Sequence, residues 1–531
     1  MVVRPAAAAM ALGLAFAPTP SQATTFAAVT APHGTAHVQD VSTVTVATDK
    51  GEVAGTDRDG VRRFQGVPYA KPPVGALRWQ LPQEPAAWRG VRQAKAPGPS
   101  CPQTGENGGL AEHSSEDCLY LNVTTPADRS RKLPVVVWLH GGGYSSGSGA
   151  DYDPARMVRD GHVVVVTVNS RLGVFGFFGH PDLPDSGTYG LADQQAALRW
   201  VRRNITAFGG DPSRVLLAGQ SSGGISVCGQ LASPQAAGLF QRAAIQSGSC
   251  KPDWTGELSA PGDGASKLWI DRTVLQRRGR TAARLLPEPP ACSDTEDLAC
   301  LRGVPAKDLL ALNGPFHSPA YDTPLVPREP WTSFAKGRFV RVPVIEGTTR
   351  DEHTLFASLF HLADEPAYRA QLVKAFGAAK AVKIAAEYPA ARYRSPALAF
   401  AAVGTDFTAA CPAVHEARML AGHVPTYMFE FADPNPPAPD LGLPLAAYHG
   451  SELLSLFDMG QSYEALDPAQ RKLSAQMIQY WTRFAATGDP NTAGLPKWGR
   501  FDGDHALALA PGAISPTDYT KRHDCRFWAT L

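Results

Sequence analysis

Val215-Leu216-Leu217-Ala218-Gly219-Gln220-Ser221-Ser222-Gly223-Gly224 decides how this chain is read. An apolar run of strand type passes straight into G-x-S-x-G, and a helix-compatible segment, Ile225 to Leu231, follows. Alone, G-x-S-x-G is an ordinary turn. Between a strand and a helix it is a nucleophile elbow, in which the glycines permit close packing and unusual dihedrals and a serine hydroxyl is held above a sheet. Ser221 is the candidate nucleophile.

Acyl transfer also needs donors aimed at a developing oxyanion, and glycine lets backbone N–H groups approach it without a side chain in the way. Upstream, the strand-like Val135-Val136-Val137-Trp138-Leu139 runs into His140-Gly141-Gly142-Gly143. Gly142, Gly143 and the amide of Ser222 are the candidate oxyanion donors. A serine needs a histidine to take its proton and a carboxylate to orient that histidine, and in this chain order both follow the serine, acid first. Val342 to Ile345 reads as a strand ending in the polar turn Glu346 to Glu352, where spacing does not choose between Asp351 and Glu352. Seven histidines follow Glu352. His449 stands out, because Tyr448-His449-Gly450-Ser451-Glu452 forms a turn leading into the apolar Leu453 to Phe457.

These residues, taken with Phe64-Gln65-Gly66-Val67-Pro68-Tyr69-Ala70, Glu116-Asp117-Cys118-Leu119, Asn169-Ser170-Arg171-Leu172-Gly173 and Phe208-Gly209-Gly210-Asp211-Pro212, carry a resemblance. From about Val44 to Trp528 the chain resembles the type-B carboxylesterases, the group of bacterial nitrobenzyl-type esterases, mammalian carboxylesterases, fungal lipases and cholinesterases. The resemblance implies an α/β-hydrolase fold: a large, mostly parallel central sheet, helices on both faces and helical insertions over the active site. It implies Ser221, Glu352 and His449 as a triad, leaving Asp351 as a structural neighbour, and Ser247 as a serine behind it. It implies a serine hydrolase acting on a small-molecule ester, with no cofactor; no cysteines have C-x-x-C spacing and the histidines are scattered, so no metal is expected. Two departures stand out. Gln220 and Ser222 replace the family's usual glutamate and alanine, and no aromatic residue lies between Cys101 and Cys118. A negative charge near the nucleophile and a surface for quaternary ammonium are thus absent, which argues against choline esters. The same acyl-enzyme could serve an acyltransferase or a lactone-forming or lactone-cleaving enzyme. A non-catalytic adhesion protein on this fold would typically have lost the nucleophile, which this chain keeps.

Length and composition bound the rest. The chain has 531 residues and a formal net charge of +1, so nothing suggests nucleic acid or an anionic surface as a partner. Oligomeric state is not readable. Residues 1–23 have the form of a signal peptide, with Arg4 before the apolar Ala6 to Ala17 and small residues at Ser21 and Ala23. That implies secretion and no stable membrane insertion. Residues 24–42 read as a flexible lead-in and 43–531 as one domain, since no repeat or linker divides the motifs that must meet in space. Val163 to Val166, Val215 to Ala218, Ala243 to Gln246 and Val342 to Ile345 read as buried parallel strands, and no later apolar run is long enough to span a bilayer. Helices are expected over Gln194–Phe208, N-capped by Asp193, and over Leu473–Thr487, ending at Gly488. Eight cysteines in an exported chain point to disulfides. Local loops and the resemblance pair Cys101 with Cys118, Cys292 with Cys300, and Cys411 with Cys525; Cys228 and Cys250 remain and form a fourth expected bridge.

Overall fold

Four consecutive valines, Val163 to Val166, offer no polar face, so a strand built from them must be covered on both sides. The computed structural model, which describes residues 41–128, 132–251, 253–284, 286, 297–460 and 463–531, covers it that way. The strands of its main sheet are β1 (Ser42–Ala47), β2 (Glu52–Arg58), β3 (Val61–Pro68), β4 (Val91–Gln93), β5 (Tyr120–Pro126), β6 (Leu133–Leu139) and β7 (Val164–Val168). They continue with β8 (Gly210–Gln220), β9 (Arg242–Gln246), β10 (Val344–Thr349), β11 (Thr426–Phe431), β12 (His505–Leu509) and β13 (Ser515–Asp518). Their order is β1-β2-β3-β5-β7-β6-β8-β9-β10-β11-β12-β13, with β4 on the side of β2. From β7 to β12 every neighbouring pair is parallel; the flanking pairs β1–β2, β2–β3, β3–β5, β5–β7 and β12–β13 are antiparallel.

Side chains alternate between the faces. Val135, Val137, Val164, Val166, Val215, Leu217 and Ile245 join one core, which is covered by α1 (Tyr189–Asn204) and α2 (Ser222–Ala232) through Leu191, Leu198, Trp200, Val227 and Leu231. Val136, Trp138, Val163, Val165, Leu216 and Ala244 join the other, which also takes in Leu473, Met477, Trp481 and Phe484. Each fully buried aliphatic side chain stabilises the fold by about 1.5–3 kcal/mol, which is why these uninterrupted runs settle in the middle layer. Between β10 and β11 a helical insertion packs its own core around Phe360, Tyr368, Leu372, Ile384, Tyr388 and Phe400.

Two helix starts differ from the sequence reading. Asp193 is not an N-cap: α1 opens at Tyr189 after Thr188, and Asp193 is fully buried inside it, its carboxylate bound to Arg171 at 2.7 Å. The regular helix ends at Asn204, and residues Ile205–Phe208 tighten into a 3-10 turn before Gly209 (φ 88°). The helix expected from Leu473 begins five residues earlier, where Asp467 and Gln470 form a capping box with Pro468 in the first turn, and it ends at Gly488 as expected. β10 is likewise displaced, running from Val344 through Thr349, so part of the expected polar turn is strand. The first strand starts at Ser42, one residue inside the expected lead-in.

A continuous helix from Pro396 to Ala421 combines α3 (Pro396–Thr405), a π-turn at Asp406–Ala410 and α4 (Cys411–Ala421). Among the described residues it is the one helix long and apolar enough to cross a membrane, a length the sequence reading did not foresee. Here it is a core helix: 67% of its apolar window is buried, and Asp406 and Glu416 lie buried along it.

Three bridges pair as expected, Cys101–Cys118, Cys228–Cys250 and Cys411–Cys525. Cys300 is also disulfide-bonded, and its expected partner Cys292 lies outside the described residues. Denatured without reductant, the chain is expected to show no titratable thiol; two thiols per chain would remove the Cys228–Cys250 bridge. Replacing Cys411 and Cys525 together by serine is expected to lower stability by about 2–5 kcal/mol, read as a lower urea midpoint.

Candidate active site

The last residue of β8 is Gln220, and Ser221 is the N-cap of α2. The Ser221 amide still donates to the carbonyl of Gln246 at 2.9 Å, so the chain turns into a helix one residue after leaving the β8–β9 ladder. That turn places Ser221 at φ 56°, ψ −126°, a conformation rare for any residue with a Cβ. Glycine at 223 is a steric requirement: a Cβ there would lie 2.1 Å from the Leu139 carbonyl oxygen at the end of β6. The Ser222 amide belongs to the first turn of α2, ahead of the first intrahelical bond from Ile225 to Ser221.

The glycine loop follows β6. Gly142 accepts from the amides of Ser145 and Ser146, whereas the Gly142 and Gly143 amides donate to no group among the described residues. Gln103, inside the Cys101–Cys118 loop, holds the far end of this turn, its Oε1 accepting from the Gly147 amide at 2.9 Å. Asn169 anchors it again: its Oδ1 accepts from the Gly149 amide at 2.8 Å and its Nδ2 donates to the Pro99 carbonyl at 2.9 Å.

Glu352 follows β10 and is buried. Its Oε1 accepts from the Thr349 amide at 2.8 Å, and its Oε2 lies 2.5 Å from His449 Nδ1. Burial works against this carboxylate's charge, but the His449 interaction and the Thr349 amide outweigh it and hold its pKa below the ordinary value. For His449, burial disfavours the imidazolium, yet the charge and hydrogen bond of Glu352 prevail and raise its pKa. The alternative acid, Asp351, faces elsewhere: its Oδ2 accepts from the Ala447 amide at 3.2 Å, and burial pushes its carboxyl up to about 6. Asp351 thus fastens the chain two residues before His449, and Glu352 makes the contact.

The remaining contacts refine the sequence reading. Ser247, at φ 49°, donates its amide to the Gly347 carbonyl at 2.8 Å. Its buried Oγ helps lower the Glu352 pKa but makes no hydrogen bond of good geometry. Ser221 Oγ makes no hydrogen bond to His449 among the described residues; the ring Nε2 instead lies 3.3 Å from Gln220 Nε2. Sequence reasoning noted the missing charge at Gln220, not this contact. It missed Glu452 as well, which stands three residues after the histidine and is buried. Trp481 donates to Gln246 at 2.8 Å and Gln246 to Glu452 Oε1 at 3.4 Å. Burial, then the Glu352 charge, pushes the Glu452 carboxyl up to about 7. An acid between the histidine turn and the apolar run from Leu453 was its one sequence signal. Cys228, Cys250 and Glu416 form a buried group of metal-type ligands, but the two sulfurs are bonded to each other.

Comparison with known proteins identifies the family. The model of the carboxylesterase family matches residues 42–528. The para-nitrobenzyl esterase of Bacillus subtilis (strain 168) is 36% identical over 463 residues, covering 84% of this chain and 90% of the relative. A human cocaine esterase is 32% identical and covers 92% of each. A solved thermophilic PNB esterase superposes with a TM-score of 0.75 at 33% identity, covering 91% of this chain and 99% of its own. A second PNB esterase gives 0.74 at 32% identity, with the same coverage. With its α/β-hydrolase fold, the chain belongs to the carboxylesterase family and is a serine ester hydrolase.

Proposed function

We propose that this enzyme cleaves neutral carboxylic esters by a Ser221–His449–Glu352 triad through an acyl-enzyme. One observation carries the reading: His449 is held through Nδ1 by a buried carboxylate at 2.5 Å, and its Nε2 lies 3.3 Å from Gln220, the residue just before the serine of the strand–helix elbow. With its proton fixed on Nδ1, the neutral ring keeps its lone pair on Nε2. Ser221 Oγ attacks the ester carbonyl carbon and its proton passes to His449 Nε2. The tetrahedral oxyanion takes the amides of Gly142, Gly143 and Ser222, each worth on the order of 100- to 1000-fold in rate. Collapse returns the proton to the departing alcohol and leaves Ser221 acylated. Water, deprotonated by the same nitrogen, releases the acid. Glu352 stays ionised throughout and stabilises the imidazolium.

The substrate is a neutral ester, because Gln220 brings no charge and the Cys101–Cys118 loop no aromatic residue to hold a quaternary ammonium. The relatives named for para-nitrobenzyl esters and cocaine support ester hydrolysis in general. We read residues 1–23 as a cleaved export signal and 43–531 as a single domain. The signal-like N-terminus and the disulfides support export.

Ser221→Ala is expected to abolish hydrolysis of an activated aryl ester while leaving the thermal melt nearly unchanged; undiminished turnover in that variant overturns the assignment. The pH profile has a definite sign. His449 must be neutral to act, and Glu352 raises its pKa, so kcat/KM is expected to fall on the acid side with a midpoint above 6.5. Glu352→Gln is expected to move that midpoint downward and to reduce kcat by about 10⁴-fold, the scale seen when a triad loses its acid.

A further inference from the structure

Gln220 sits in a slot between the pieces of the active site. Its backbone is fixed at the end of β8 by pairing with Gln246 on β9, and the residue is buried. The slot is walled by two glycines: a Cβ on Gly141 would come within 2.9 Å of Gln220 Oε1, and one on Gly450 would contact Gln220 Nε2 at 3.6 Å. One wall belongs to the glycine loop and the other follows His449. The amide nitrogen lies 3.3 Å from His449 Nε2.

The chemistry of this contact is directional. Glu352, as an ionised carboxylate, only accepts, so His449 Nδ1 donates to it and the neutral ring presents one lone pair at Nε2. The Gln220 amide N–H donates into that lone pair, which is the one Ser221 needs in order to give up its proton. The serine hydroxyl makes no bond to the ring here among the described residues. We infer that Gln220 is a positioning residue that occupies the proton-accepting nitrogen of His449 in the free enzyme and yields it to Ser221 when substrate is bound.

The contact also selects a protonation state. An amide N–H satisfies Nε2 only when that nitrogen is unprotonated, whereas a carboxylate at 220 satisfies it only when it carries a proton. Two carboxylates act on the ring, Glu352 after β10 and Glu452 downstream, while burial pushes the nearby His353 down to about 4 and leaves it neutral. Both glutamates favour the imidazolium. Gln220 opposes them by favouring the basic form. Its neutrality therefore keeps the histidine ready at lower pH, besides removing a charge that a cationic ester would meet.

This inference rests on the proposed triad, and the test separates the two. The full-length enzyme is titrated with a fluorophosphonate, and phosphonylation rates are compared per titrated site. Gln220→Met, which keeps the volume and removes the donor, is expected to be phosphonylated about 2- to 10-fold faster than the wild type, the span corresponding to one net hydrogen bond. Gln220→Glu is expected to move the acid-side midpoint of kcat/KM to higher pH, a change that loss of packing alone would not produce. A Gln220→Met rate at or below that of the wild type overturns the inference. An unmoved midpoint in Gln220→Glu overturns it too, even where Gln220→Met does not fold. If wild-type enzyme fails to take up one phosphonyl group on Ser221, it is the triad that falls.

Discussion

Everything in the site is referred to one strained residue. Ser221 holds φ 56°, ψ −126°, a conformation that costs on the order of 1–3 kcal/mol and persists only where its surroundings over-determine it. They do so here from both sides. β8 is locked in parallel pairing with β6 and β9, and the first turn of α2 presses onto the end of β6 so closely that residue 223 has no room for a side chain. Parallel pairing has a second consequence, because it sends the C-terminal end of each strand to the same edge of the sheet. The glycine loop leaves β6, Ser221 leaves β8, Ser247 leaves β9 and Glu352 follows β10. Four neighbouring strands thus deliver four parts of the candidate site.

Local partners decide which buried glutamates keep their charge. Glu352 has the Thr349 amide and His449, and its pKa lies below the ordinary value. Glu346, six residues earlier on β10, is just as buried, but its Oε2 has no partner; burial, and after it the neighbouring Glu416, drives its pKa well upward. Glu416 is itself pushed up to about 8 by burial. Desolvation acts on all three, and Glu416 accepts from the Cys250 amide much as Glu352 accepts from Thr349, so what sets Glu352 apart is its contact with His449.

These distinctions mark the limit of what the sequence discloses. Strands β6 to β9, the elbow and the glycine loop were legible because apolar runs and glycine spacing are local consequences of burial and close approach. The choice of Glu352 over Asp351 was not legible from spacing: adjacent residues leaving a strand point in different directions, and only the resemblance separated them. Asp193 misled for a related reason. An acid before a helical run looks like a cap, yet Arg171, 22 positions away, claims it inside α1. The contacts of Gln220 and Glu452 depend on rotamers and on chain segments far apart in sequence, for which no local pattern exists.

The disulfides complete the mechanical picture. The loops at the carboxyl edge of the sheet are the part of the site that strand pairing does not hold. The Cys101–Cys118 bridge closes the loop that carries Gln103, and through Gln103 it restrains the glycine turn. Cys228–Cys250 ties the elbow helix to the segment just after Ser247. These bridges span 17 and 22 residues, whereas Cys411–Cys525 spans 114. Loop-closure entropy grows only with the logarithm of length, so the long bridge removes about 1–2 kcal/mol more from the unfolded chain than either short one. The short bridges do more than that comparison counts, because each fixes a loop that bears on the geometry around Ser221, while the long one anchors the C-terminus to the helix that carries Glu416.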